Sequence, residues 1–191
     1  MRHSAKAALC LLVAALAAPA AWATTAVELT EADMIQEAEI IVAGRCTGLQ
    51  SQWVERDLVT IATIQVSEVL KGQAGSQVTV VLPGGVDASR RIPVAMSFPG
   101  APEILNQENV LLFLTPEGRV ADGYSIVGWS QGKFSLVDSP QGQKMATQDL
   151  GALNLQGRNG GVRRGSAKTF PLSQIRQQIR ETLVEKPEKP R

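Results

Sequence analysis

Ser130 and Lys133 have the S-x-x-K spacing that places a nucleophilic serine beside a lysine in penicillin-recognising enzymes. That chemistry needs a helix, because residues three apart lie on one face there and on opposite faces of a strand. Gly132 interrupts the motif, and the flanking residues 124–129 and 133–137 are typical of two strands of a hairpin. The sequence therefore predicts a turn between strands here, and no serine–lysine nucleophile.

His3 is the single histidine of the chain, and it lies in a segment with the features of an export signal. A basic start, an apolar run from Ala7 to Ala18 and the small-x-small site Ala21–Ala23 predict that residues 1–23 are removed before Thr24. The mature chain would then lack histidine, which excludes Ser-His-Asp and Cys-His catalysis and the commonest zinc ligand. No later run is long enough to span a bilayer, so we expect no membrane segment after cleavage.

Cys46 would be the sole cysteine of that mature chain, so no internal disulfide is expected and packing must hold the fold. On a strand its thiol points away from the neighbouring Arg45, which favours a buried core cysteine over a reactive one. The acidic residues are scattered, without a spacing that nominates a catalytic pair or a calcium loop. The sequence predicts no cofactor and no metal. An envelope enzyme that uses carboxylate, serine or lysine chemistry stays open as an alternative.

Charge and aromatic content argue against nucleic acid as a partner. The 19 basic side chains nearly balance the 18 acidic ones, and aromatic residues make up 4% of the chain. Neither a polyanion-attracting field nor a base-stacking platform is therefore expected. Four basic residues lie among glycines within 141–169, a segment that we predict to be flexible and solvated, with a phosphate or an acidic partner as the alternative. Those residues are Arg158, Arg163, Arg164 and Lys168.

The elements that must position any site are mostly strands. Alternating or continuous apolar runs predict strands near 40–49, 56–70, 77–82 and 110–114, and Thr30 followed by acidic residues predicts a short helix at the start of the domain. Several short strands of this kind predict a mainly β fold, a five- to six-stranded Greek-key barrel of the oligonucleotide/oligosaccharide-binding (OB) type, over residues 24–140. A β-sandwich is the alternative.

The C-terminal part of the chain has a helical pattern. Its apolar residues are spaced three and four apart, which predicts an amphipathic helix over residues 170–185, followed by a disordered charged tail at 186–191. The residues of this stripe are Leu172, Ile175, Ile179 and Leu183.

Four residues are candidates for binding a partner: Trp53, Arg90, Arg91 and Phe98. The last three lie in a proline-rich loop, Pro83–Pro102, whose length indicates either a function or a lid over the core. Trp53 lies among polar residues and is interpreted as a plug on one end of the barrel, with an exposed interface anchor as the alternative.

Several runs together resemble an uncharacterised family of secreted bacterial proteins, from about Ile40 to Val137. They are Glu39–Gly44, Trp53, Glu68–Gly72, Leu82–Gly85, Glu108–Leu114 and Gln131–Phe134. The first half is also similar in outline to the netrin-like module of tissue inhibitors of metalloproteinases. That resemblance implies an OB-type barrel and protein partners, including secreted proteases. The chain lacks the N-terminal cysteine and the disulfides of those inhibitors, so no inhibitory residue carries over.

Taken together, the sequence predicts an exported protein, periplasmic or secreted, that is a non-catalytic β-barrel binding module. Its expected partner is another envelope or secreted protein. A glycan-binding module, suggested by the barrel type alone, is a further alternative.

Overall fold

The computed structural model describes residues 24–185, so the predicted export signal at 1–23 and the predicted tail at 186–191 lie outside the described residues. The elements run in the following order: β1 Thr24–Val27, α1 Glu31–Glu37, β2 Ile40–Val54, β3 Asp57–Lys71, β4 Gln77–Pro83, β5 Gly85–Asp87, β6 Val94–Met96, β7 Asn109–Pro116, β8 Gly123–Ile126, β9 Lys133–Asp138, β10 Lys144–Gln148, β11 Leu153–Gln156, β12 Val162–Arg164, β13 Lys168–Pro171 and α2 Leu172–Glu185.

Five of these strands close into a ring in the order β2, β3, β4, β8 and β7, with β7 returning to β2. All neighbours in the ring are antiparallel except β4 and β8, which are parallel. A five-stranded Greek-key ring of this kind is the OB-type barrel. The predicted mainly β, OB-like fold with a short N-terminal helix and a C-terminal helix is thus confirmed.

Strand β7 shows why one run of the sequence is continuously apolar. Val110, Leu112 and Leu114 point into the barrel, where they pack with Ile64 of β3 and Val80 of β4. The alternate residues of β7 face outward and belong to a second core, which contains apolar residues of both helices. Because both faces of β7 are buried, its sequence loses the polar alternation of a half-buried strand.

This second core lies on the outer face of β7 and covers one side of the barrel with α1 and α2. Thr30 caps α1 as predicted, in a capping box with Asp33. The sheet continues beyond the ring from β7 through β9 and β10 to β13, which leads directly into α2. Within residues 24–185 no helix is long and apolar enough to cross a membrane.

The segment 141–169 differs from the flexible, solvated linker that the sequence predicts. It contains β10, β11, β12 and the start of β13, and β11 pairs in parallel with the N-terminal strand β1. Leu150, Leu153 and Leu155 form a third buried cluster with Ala26 and Trp129 packed against it. The prediction was wrong because these leucines are ordered by a strand more than a hundred residues away, which no local period reveals.

Two of the arginines in this segment bind acidic residues of the N-terminal part of the chain. Arg158 Nη2 lies 2.8 Å from both carboxylate oxygens of Asp33, and Arg163 pairs with Glu28. Their acidic partners are therefore supplied from within the chain, and the two ion pairs fasten the segment 157–164 over residues 28–33.

The predicted hairpin between residues 124–129 and 133–137 is also replaced by a different arrangement. Strands β8 and β9 do not pair with each other; both pair antiparallel with β7. Val127 N donates to Phe113 O, and Phe113 N donates to Gly132 O, each at 2.9 Å. Residues 128–131 therefore bulge out of a strand that continues along the same edge of β7, helped by the positive φ of Gly128 and Trp129.

Candidate functional site

The proline-rich loop contains a small hairpin, β5–β6, which lies against the extended end of the β2–β3 pair. Thr60 Oγ1 donates to Gly84 O at 2.8 Å, and Val86 N donates to Ser51 Oγ at 3.0 Å. A Cβ atom at Gly85 would lie 2.5 Å from Ser51 Oγ. The contact therefore requires a residue without a side chain, and two hydroxyl groups of β2 and β3 hold the hairpin in place.

Three side chains at the tip of this contact form what we name the hairpin cluster: Trp53, Asp87 and Arg90. Trp53 Nε1 donates to Asp87 Oδ2 at 2.8 Å, and Arg90 Nε donates to the same oxygen at 2.9 Å. The Arg90 guanidinium also lies over the indole ring, 4.9 Å from its centroid. A single carboxylate thus holds an aromatic ring and a cation in one arrangement.

The other carboxylate oxygen of Asp87 is occupied as well. Both the backbone N–H and the hydroxyl of Ser89 donate to Asp87 Oδ1. These bonds from Ser89, followed by those from Trp53 and Arg90, hold the pKa of Asp87 well below its ordinary value. Asp87 is consequently ionised throughout the neutral range and keeps the hairpin cluster assembled there.

The structure brings together two of the four predicted binding residues. Trp53 and Arg90 meet in the hairpin cluster, and Arg91 lies exposed on the same turn. The interpretation of Trp53 as a plug was wrong: it belongs to β2, which runs to Val54, and 37% of its surface is exposed. Asp87, which joins Trp53 to Arg90, was missed, because no local spacing links residue 53 to residue 87.

Phe98 lies apart from the hairpin cluster and lines a cleft of about 410 Å³ between the segment 98–105, β9 and the start of β11. Three side chains in this cleft form a closed set of hydrogen bonds. Lys133 Nζ lies 2.7 Å from Glu108 Oε1 and 2.8 Å from Ser135 Oγ, and Ser135 Oγ donates to Glu108 Oε1 at 2.6 Å. The residue types of this set are those required by the alternative function, an envelope enzyme that uses carboxylate, serine or lysine chemistry.

Lysine 133 therefore bonds to Ser135 and not to the Ser130 side chain of the S-x-x-K pattern. Residues two apart share a face of a strand, and both belong to β9. The spacing that brings two of these side chains together is therefore K-x-S, from Lys133 to Ser135. Glu108, the third residue of the hydrogen-bonded set, precedes β7 and becomes their neighbour only through the pairing of β7 with β9.

The charge state of this set opposes nucleophilic catalysis. Burial raises the pKa of Glu108, but the bonds from Lys133, from Ser135 and from Leu105 N outweigh it, and the net pKa is lowered. A carboxylate of lowered pKa is a weak base, so Glu108 is poorly suited to activating the Ser135 hydroxyl as a nucleophile. The set is better suited to fixing the segment 105–108 against β9.

We expect Glu108→Gln to lower the free energy of unfolding by about 2 kcal/mol at pH 7, because the partly buried Lys133 side chain, 16% exposed, loses its anionic partner. The folded-state pKa lies below the ordinary value of about 4.3, so the stabilisation is complete above that pH and is lost as the pH falls through the folded-state pKa. Urea unfolding of the wild type and the variant at pH 7 and at pH 3 measures the free energy of unfolding that is lost at each pH. Ser135→Ala, which removes one of the donors that lower this pKa, should cost about 1 kcal/mol at pH 7, with a smaller pH dependence in the same direction. A pH-independent loss for Glu108→Gln would contradict this account.

Cys46 lies inside the barrel, as predicted, and burial raises the pKa of its thiol. A thiol of raised pKa is a poor nucleophile at neutral pH. Among residues 24–185, no group of three His, Cys, Asp or Glu side chains is placed to hold a metal ion.

Comparison of the chain with protein-family models, with curated proteins and with solved structures found no match. Its function is inferred from the hairpin cluster and the cleft themselves.

Proposed function

We propose that this protein is an exported module that binds another envelope or secreted protein through the face formed by its two hairpin tips. We name this face the hairpin surface; it consists of Trp53, Val86, Asp87, Arg90, Arg91 and Ile92. The observation that carries the proposal is that Trp53 is exposed at the surface and is nevertheless held by a hydrogen bond to Asp87 and by the Arg90 guanidinium.

Tryptophan and arginine are the residue types most often found to dominate protein interfaces. A side chain that is already fixed before binding loses less conformational entropy when a partner covers it. Trp53 and Arg90 are fixed by the same carboxylate, so the free protein already presents them together. This preorganisation favours a binding role over a purely structural one.

Apolar surface around the hairpin cluster supports the same function. Ile92 is 77% exposed and Val86 is 56% exposed, although neither contributes to a core cluster. Together with Trp53 they give the hairpin surface the apolar centre with charged neighbours that is typical of protein interfaces.

The choice of an exported protein as the partner rests on the predicted export signal at 1–23. The resemblance to the netrin-like module points in the same direction, since it implies protein partners that include secreted proteases. A glycan is less well supported, because the Arg90 guanidinium occupies one face of the indole ring on which a sugar would stack.

The test is capture of partners from the envelope and secreted fractions of the host by immobilised chain 24–191, with identification by mass spectrometry. Affinity for the captured protein is then measured with Trp53→Ala and Asp87→Asn. We expect Trp53→Ala to weaken binding by about 30-fold or more, as for an interface hot spot. Asp87→Asn should have a smaller effect, because the Trp53 ring itself is retained, although one amide oxygen cannot accept from both Trp53 and Ser89 and the amide no longer neutralises Arg90.

Val69→Ala is the matched control. Val69 is 41% exposed, similar to Trp53, and lies near the end of β3 opposite to the turn at Trp53. Its replacement should leave binding unchanged. A captured protein that binds Trp53→Ala and wild type equally would overturn the proposed role of the hairpin surface.

A further inference from the structure

We propose that a cavity between the start of α1 and strands β9, β10 and β13 binds the carboxylate end of an apolar amino acid, either free or at the C-terminus of a peptide. We name it the α1 cavity. Its volume of about 410 Å³ is in the range of sites that bind small molecules. No residue of the hairpin surface lines it, so this inference goes beyond the proposed function and does not depend on it. The lining residues that carry the argument are Glu31, Phe134, Gln148, Leu155, Lys168 and Phe170.

The polar centre of the α1 cavity is the side chain of Gln148, which is only 5% exposed. Its Nε2 donates to Gln131 O, and because that carbonyl can only accept, the orientation of the amide is fixed. Its Oε1 accepts no hydrogen bond from residues 24–185 and is not enclosed by protein atoms. A nearly buried acceptor without a protein donor favours a ligand that brings an N–H or O–H group.

A cation lies next to this acceptor. Lys168 of β13 pairs with Gln148 of β10, so the two side chains extend from one face of the sheet with Cβ atoms about 5 Å apart. Lys168 forms no hydrogen bond or ion pair within the described part of the chain, and Glu28, which also lines the cavity, is paired with Arg163. The ammonium of Lys168 is therefore available to an anion.

The two polar groups together select a ligand with a donor beside an anion. An amino acid and the C-terminal residue of a peptide both have a nitrogen that is separated from the carboxylate by one carbon atom. The N–H can donate to Gln148 Oε1 while the carboxylate meets the Lys168 ammonium. A carboxylic acid without the nitrogen would leave Gln148 Oε1 without a donor.

The remaining walls of the α1 cavity suit an apolar side chain. Met34, Phe134 and Leu155 are buried, and Phe170 is partly buried against the core formed by both helices. An apolar side chain that enters the cavity loses contact with water against these walls, which favours binding. An inorganic anion would leave the same walls without an apolar partner.

One further charge distinguishes the two sources of the ligand. Glu31 lines the α1 cavity and forms no ion pair within residues 24–185. The ammonium group of a free amino acid would find its counter-charge there, whereas the uncharged amide N–H of a C-terminal residue needs none. Replacement of Glu31 should therefore weaken binding of the free amino acid alone.

The test is titration of ¹⁵N-labelled chain 24–191 with four defined probes. Leucine represents a free amino acid, and N-acetyl-leucine represents the C-terminal residue of a peptide. The probe 4-methylpentanoate lacks the N–H group, and N-acetyl-leucine amide lacks the carboxylate. We expect saturable shifts of the amide signals of residues 146–150 and 168–170 with leucine or N-acetyl-leucine. The other two probes should bind about tenfold more weakly.

Lys168→Met should weaken binding of leucine or N-acetyl-leucine by about tenfold, and Lys168→Arg should restore most of the affinity. Lys144→Met is the control, because it removes the same charge from β10 at an exposed position that does not line the α1 cavity. Thermal unfolding of each variant shows whether the fold is intact. Glu31→Gln should weaken leucine about fivefold and leave N-acetyl-leucine unchanged.

Three results would overturn the proposal: no shifts at these residues with either leucine or N-acetyl-leucine, equal binding of 4-methylpentanoate, or unchanged binding by folded Lys168→Met. A preference for leucine or for N-acetyl-leucine identifies the source of the ligand and supports the proposal in either case. Because the hairpin surface is tested separately with the captured partner, failure of the α1 cavity and failure of the proposed function give different patterns.

Discussion

Replacement of Lys71 by methionine is expected to lower the free energy of unfolding by about 3 kcal/mol, among the largest effects of any polar substitution in this chain. Lys71 is only 9% exposed, and its Nζ donates to the carbonyl oxygens of Ile35, Gln36 and Ala38 at 3.0, 3.3 and 2.5 Å. These carbonyls lie at the C-terminal end of α1, where helical partners are missing and a positive charge is favourable.

Methionine replaces the apolar stem of lysine, is shorter by the terminal nitrogen and provides no donor, so the three carbonyls lose this partner in a largely buried place. Equilibrium urea unfolding measures the loss. Lys144→Met is the control, because Lys144 forms an ion pair with Asp138 in which both side chains are more than half exposed. Exposed pairs of this kind contribute less than about 1 kcal/mol. Equal losses for the two variants would contradict the capping role of Lys71.

Gln131→Ala is expected to cost a similar amount, about 3 kcal/mol, and to release the N-terminal strand. Gln131 is 2% exposed. Its Nε2 donates to Val27 O at 2.8 Å and to Gly128 O at 3.0 Å, and its Oε1 accepts from Leu29 N at 2.9 Å. One side chain thus joins the end of β1 to the bulge between β8 and β9. Alanine leaves these partly buried backbone groups without that partner.

Amide hydrogen exchange distinguishes this local effect from general destabilisation. Residues 24–30 and the paired strand β11 should lose protection in Gln131→Ala before the barrel strands do. Gln177→Ala is the control, because Gln177 lies exposed on α2 and bonds to Glu181 on the same helix. That variant should remain within about 0.5 kcal/mol of wild type. Retained protection of β1 in Gln131→Ala would show that pairing with β11 alone holds it.

The parts of the fold that could be predicted are those with a strong local pattern. Alternation in β3 and β4 and the spacing of Leu172, Ile175 and Ile179 in α2 predict elements that the structure contains. The continuous apolar run in β7 predicts a strand. The sequence does not show why the run is continuous, which is that both faces of β7 are buried. The bulge at 128–131 was predicted as a hairpin turn, because local turn residues indicate a break in a strand without showing which neighbour each half pairs with.

The candidate sites also divide into residues that the sequence identifies and contacts that only the folded structure creates. The sequence by itself determined that a tryptophan and an arginine-containing, proline-rich loop were available for binding, and that the chain from Thr24 onwards has no histidine. Only the tertiary structure decided that Asp87 joins Trp53 to Arg90, that Glu108 meets Lys133, and that β1 lies beside β11. Periodicity reports which face of an element is buried, because burial repeats along one strand or helix. Contacts between residues 25 to 130 positions apart depend on how strands pair and loops fold back, and a single sequence contains no local signal for them.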